Sequence, residues 1–157
     1  MEQDIFTPQL ETHKLNTLPD KIKNNPSDLS LLADVFGFYA EIEAVYLFGS
    51  AAAGRTNRES DLDLAVYPGT DSLKSVKLDI LGRLAGRGFS KVDLVFLDGS
   101  DIVMDYEAVR LNRRIYQKPG FDPGSLYSTV VRKYLDFVPL LDVQRRAMKR
   151  RILHGTT

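Results

Sequence analysis

Two aspartates at spacing i, i+2 stand in the run Asp61-Leu62-Asp63-Leu64-Ala65-Val66. In an extended strand that spacing points both carboxylates to one face, about 7 Å apart along the chain. Leu62, Leu64 and Val66 make the other face apolar. Two repelling carboxylates on one face suit a hard divalent cation, which takes carboxylate and phosphate oxygens. Ten residues upstream a second apolar run, Val45-Tyr46-Leu47-Phe48, ends in Gly49-Ser50. Glycine lets the backbone approach phosphate oxygens with no Cβ in the way, and the amides and hydroxyl there can act as donors. Carboxylates, a cation and a phosphate-holding turn are what phosphoryl-type transfer needs: held phosphates, neutralised charge and an attacking hydroxyl.

Gly49-Ser50, a spacer and Asp61-x-Asp63 resemble the signature of the nucleotidyltransferase superfamily related to DNA polymerase β, in its minimal-nucleotidyltransferase branch. The likeness covers roughly residues 30–117. It implies a polymerase β-like α/β fold, a small mixed sheet with helices packed on it and the carboxylates on adjacent strands. It further implies a third acidic residue on a later strand, for which Lys91-Val92-Asp93-Leu94 offers Asp93. Asp61, Asp63 and Asp93 are then the expected catalytic and metal-binding residues, with Mg²⁺ or Mn²⁺ as cation and ATP as substrate. Gly49, Ser50 and Arg55 are the expected nucleotide-binding residues. Asp93 sits inside an apolar run, where an unpaired buried carboxylate is costly and calls for a metal or a basic partner. Relatives often carry arginine two positions after the serine; this chain has Ala52.

The resemblance points to transfer of AMP to a hydroxyl. Its nearest biological setting is a pair with a HEPN-domain ribonuclease toxin, in which the nucleotidyltransferase adenylylates a tyrosine of the partner and acts as antitoxin in a hetero-oligomer. A steric, non-catalytic antitoxin is the second reading. A small-molecule transferase of the aminoglycoside-modifying kind is the third, although about 40 residues beyond position 117 leave little room for a sugar-holding domain.

The remaining sequence bounds these readings. The 157 residues suffice for one domain with a sizeable core. Lysine plus arginine and aspartate plus glutamate number 21 each, so net charge argues for no direct nucleic-acid binding. With no cysteine there are no disulfides, thiolate metal sites or cysteine nucleophile. The opening Met-Glu-Gln-Asp shows no secretory character, and no apolar run approaches the roughly 20 residues of a membrane span, so a cytoplasmic location is expected. His13 and His154, near opposite chain ends, read as exposed polar residues rather than ligands.

To position the carboxylates the chain has these expected elements. Residues 1–26 form an N-terminal arm and partial helix, 27–118 the nucleotidyltransferase core, and 119–157 a linker and C-terminal helical tail. Within the core the pattern predicts a helix over about 28–38 and strands over 44–48, 61–66 and 92–97. A helix capped by Asp71 or Ser72 should carry Leu73, Val76, Ile80 and Leu84 to Gly86. A further helix over 101–111, capped by Asp101 or Ser100, and an edge strand over 114–117 follow. Helices are expected on one side of the sheet, Asp98 in a turn, and Pro139 as a kink or division of the tail. The tail joins Leu126, Val130, Tyr134 and Phe137 to a basic end, Arg145, Arg146, Lys149, Arg150 and Arg151, a candidate docking element.

Overall fold

The computed structural model describes residues 26–52, 61–153 and 155, with the side chains of 26–30, 50 and 51 left aside. The N-terminal arm, Arg55, His13 and His154 lie outside the described residues. Helix α1 spans Pro26–Gly37, strand β1 Ala44–Phe48 and the short helix α2 Gly49–Ala52. Strand β2 covers Leu62–Tyr67, helices α3 and α4 Asp71–Ser75 and Lys77–Gly86, and strand β3 Val92–Phe96. Helix α5 runs Ile102–Val109, strand β4 Arg114–Gln117 and helix α6 Pro123–Leu153.

The four strands form one mixed sheet in the order β3-β2-β1-β4. β1 is antiparallel to both β2 and β4, while β2 and β3 run parallel through the α3–α4 crossover. All five residues of β1 are buried. A strand buried on both sides needs cover on both sides, and helices lie on both faces rather than on one. On the first face Val45, Leu47, Leu64, Val66 and Leu94 pack with Leu32 and Phe36 of α1 and Leu73, Ile80 and Leu84 of α3–α4. On the second, Tyr46, Phe48 and Ala65 pack with Ala108 and Val109 of α5 and Val130 of α6. The one-sided expectation fails because an apolar run such as Ala44–Phe48 shows that it is buried but not by how many layers.

The expected helix from Asp71 to Gly86 is two helices, split at Val76, whose ψ of 14° takes the backbone out of helical geometry. Its N-cap is Thr70 in extended backbone rather than Asp71 or Ser72. The Asp101 cap is present: its carboxylate accepts from the amides of Val103 and Met104 at 3.1 and 3.0 Å. Asp98 is a turn residue, accepting from Ser100 N at 2.8 Å and Lys74 Nζ at 2.6 Å. These donors, Lys74 foremost, hold its carboxyl well below the usual range.

Helix α6 is 31 residues long and passes through Pro139 undivided. Proline removes one backbone hydrogen bond in a helix. Pro139 and Leu135, whose carbonyl loses that donor, both face solvent, so water can take its place. The helix starts with Pro123 in its first turn, where the missing N–H costs nothing, and Asp122 Oδ1 accepts from Gly124 N at 3.0 Å and Ser125 N at 3.2 Å. Its first half belongs to the core: Val130 is buried and the Tyr134 ring stacks on Tyr106 at 3.9 Å and 4°. Its second half leaves the domain with Val143, Met148, Ile152 and Leu153 exposed. Among the described residues no helix is long and apolar enough to cross a membrane.

Candidate active site

Sheet register brings the expected residues together. Phe48, at the end of β1, pairs with Asp63 of β2, and Asp63 pairs with Asp93 of β3. Adjacent strands are about 4.8 Å apart, so the two aspartates are side-by-side neighbours on one sheet face. It is the α5–α6 face, because Ala65, two residues beyond Asp63, joins the cluster formed with those helices. Asp61 immediately precedes β2 at the same end of the sheet and is exposed.

Gly49 closes the arrangement from the β1 side. It has φ of 68°, and a Cβ placed on it would lie 2.1 Å from Asp63 Oδ2. The left-handed backbone turns the chain sharply from β1 into α2, and the absent side chain leaves the space that the Asp63 carboxylate occupies. Gly49 and Ser50 open that helix, whose first amides have no partner within it. The side chain of Ser50 and all of Arg55 lie outside the described residues.

The electrostatics follow from the crowding. Asp63 is half-buried and its carboxyl is pushed up, first by loss of solvation, then by the charges of Asp93 and Asp61. Like-charged carboxylates held together are stabilised when a cation joins them. Asp93 departs from expectation: it is exposed, not buried. β3 is an edge strand, and α5 and α6 cover the opposite end of this face, where Val95 and Leu97 join the cluster. Asp93 is therefore open to solvent and to an incoming group.

Among the described residues, no group of three or more His, Cys, Asp or Glu is gathered tightly enough to hold an ion alone. The donor set nevertheless fits magnesium, which takes one or two carboxylates and draws its remaining oxygens from substrate phosphates and water. The arrangement is a row of hard acidic oxygens beneath a glycine turn, open on one side to ligand.

A further ionisable group lies off this row. Asp105, in the first turn of α5, is only 4% exposed and accepts from Gly99 N at 3.0 Å. Burial pushes its carboxyl up to about 6, opposed by that amide and by Lys133 of α6. In sequence it looks like an ordinary acidic residue near a helix start, and nothing local marks its burial.

The comparisons agree with the geometry. The family model for polymerase beta nucleotidyltransferases matches residues 31–120, more than half of the chain. The protein adenylyltransferase MntA of Shewanella oneidensis is 31% identical over 77 residues, which span 48% of this chain and 55% of that protein. The chain thus matches about half the length of this curated relative. Among solved structures, a toxin–antitoxin complex with AMP-PNP has a chain superposing with a TM-score of 0.59 at 23% identity, covering 82% of this chain and 98% of that one. A tri-AMPylated Shewanella oneidensis HEPN toxin in complex with an MNT antitoxin gives 0.57 at 19% identity, covering 82% and 98%. At such identities the structural likeness speaks for the fold. The family match, the mixed sheet and the Gly49-Ser50…Asp61-x-Asp63 row converge, and the chain belongs to the polymerase β nucleotidyltransferase family.

Proposed function

We propose that this chain transfers AMP from ATP to a protein hydroxyl in a reaction dependent on Mg²⁺ or Mn²⁺. The observation that carries this reading is the in-register Asp63–Asp93 pair beneath Gly49, whose missing Cβ makes room for the Asp63 carboxylate. Asp61 and Asp63 hold the cation, with Asp93 as further ligand. When bound, the cation offsets phosphate charge and polarises the phosphorus–oxygen bonds under attack. The Gly49-Ser50 turn and Arg55 hold the phosphates. Asp93, exposed at the edge, accepts the proton of the attacking hydroxyl. The hydroxyl oxygen bonds to the α-phosphorus, the bond from that phosphorus to the β-phosphate bridging oxygen breaks, and pyrophosphate leaves.

The relative MntA is a protein adenylyltransferase, and the related folds occur in complexes with HEPN toxins. These relatives support a HEPN-domain toxin as partner; in our reading the acceptor is a tyrosine of that toxin, the chain works as its antitoxin in a cytoplasmic hetero-oligomer, and the exposed second half of α6 is the docking element. That exposed apolar and basic helix also favours a second reading, neutralisation by binding alone.

Incubation with labelled ATP, Mg²⁺ and a HEPN-domain partner tests both. Adenylyl transfer should be seen, and Asp93→Asn should reduce it by about 10²-fold, as for loss of a general base, while Mg-ATP still binds. Equal labelling by mutant and wild type removes Asp93 from the mechanism. Neutralisation of the partner with no labelling establishes the steric reading instead.

A further inference from the structure

A cavity of about 450 Å³ lies between the start of β4 and the first turn of α6, lined by Arg110, Asn112, Arg114, Pro123, Gly124 and Tyr127. Its polar wall is made largely of donors. Arg114 donates to Asn112 Oδ1, sits opposite Tyr46 in the sheet, and has no carboxylate partner among the described residues. With Oδ1 engaged, Asn112 offers its amide N–H groups. Arg110 is tied through Nε to Glu107 at 2.7 Å, which leaves its terminal guanidinium nitrogens to donate elsewhere. Asn112 is held at φ of 53°, the only non-glycine residue with positive φ among those described. The first amides of α6 are already taken by Asp122, so the helix end itself is not the attraction.

The position relates this cavity to the carboxylate row. Arg114 pairs with Tyr46 in the sheet, and Tyr46 belongs to the same face as Ala65 and hence Asp63. Two strand spacings across and two residues along separate Arg114 from Asp63, about 12 Å between Cα atoms. One sheet face thus carries a cation-seeking acidic row and, beside it, a basic hollow of opposite sign.

We propose that this cavity is a metal-independent anion subsite that takes a carboxylate or phosphate group of the substrates through Arg114 and Arg110. Paired guanidinium forks match the two oxygens of such groups. The proposal rests on the nucleotidyl-transfer reading for its purpose. An extended polypeptide covers 12 Å in about four residues, so an acceptor chain engaged at the acidic row also reaches the hollow. The occupant is an acidic side chain of the acceptor, a few residues from the attacked hydroxyl.

The test is titration of the full chain in chelator with inorganic phosphate and, separately, with triglutamate, followed by the amide signals of Asn112 and Tyr127. Saturable shifts are expected, weakened at least tenfold by Arg114→Lys and abolished with Arg110→Gln added. Tyr46→Phe, which loses the hydroxyl but not the charge, should bind as wild type. No saturable binding without metal, or binding indifferent to both arginine changes, overturns the proposal. Added Mg-ATP that displaces phosphate identifies the source as the nucleotide; triglutamate binding undisturbed by Mg-ATP identifies it as the acceptor. Mg-ATP that fails to bind while phosphate still does would count against the transfer reading alone.

Discussion

A Cβ on Gly49 would lie 2.1 Å from Asp63 Oδ2, so the glycine that ends β1 and the carboxylate of β2 share one volume. Gly49→Ala therefore displaces the carboxylate, which can swing away, and adds left-handed strain of roughly 1–2 kcal/mol. We expect Mg-ATP affinity to fall at least tenfold with the fold kept. Calorimetry and circular dichroism on the same sample check it; unchanged affinity would show that Asp63 does not need its observed position.

Asp63→Asn should have two opposite effects. Its carboxyl is raised in the folded state, so the protein loses stability as pH rises from the unfolded to the folded value, and the loss is complete above that window. Removing the charge relieves this, and the metal-free mutant should melt about 1–3 °C higher than wild type at pH 7, with no gain at pH 3. Together with Asp61→Asn it should abolish metal-dependent ATP binding. A melting point that falls at pH 7 would show that no repulsion is stored in the row.

Asp105 makes a separate pH signature. Its carboxyl, raised to about 6 by burial, is protonated more readily folded than unfolded. Wild type should lose up to about 2 kcal/mol of stability as pH rises from 4 to 7, and Asp105→Asn should flatten that slope while keeping an acceptor for Gly99 N. Denaturant titrations at several pH values measure it. Parallel slopes in the two proteins would assign the dependence elsewhere.

The outer half of α6 invites a charge test. Arg145 lies 4.0 Å from Asp142, whereas Arg146, Lys149, Arg150 and Arg151 have no ion pair among the described residues. Reversing Arg145, Arg146, Arg150 and Arg151 to Glu should weaken binding of a HEPN partner tenfold or more at low salt and change the melting temperature by under 2 °C, since exposed pairs contribute little to folding. A pull-down unchanged at low and high salt would make this end a solvated helix face.

The strands, the glycine turn and the Asp101 cap were legible because each depends on neighbours in sequence: short apolar runs, a glycine at a strand end, a carboxylate reaching amides two and three residues on. The pairing of Asp61 with Asp63 on one face follows from strand period alone. Tertiary structure decided the rest. It placed Asp93 beside Asp63 through parallel register between segments about 30 residues apart, and left it exposed because β3 is an edge strand that α5 and α6 cover only at its other end. It put helices on both faces of the sheet, kept α6 whole through Pro139 with the freed Leu135 carbonyl on the solvent side, and buried Asp105 beneath a loop. Local pattern reports what a residue does to its own backbone; how many layers cover a strand, and which end stays open, depends on packing between distant segments.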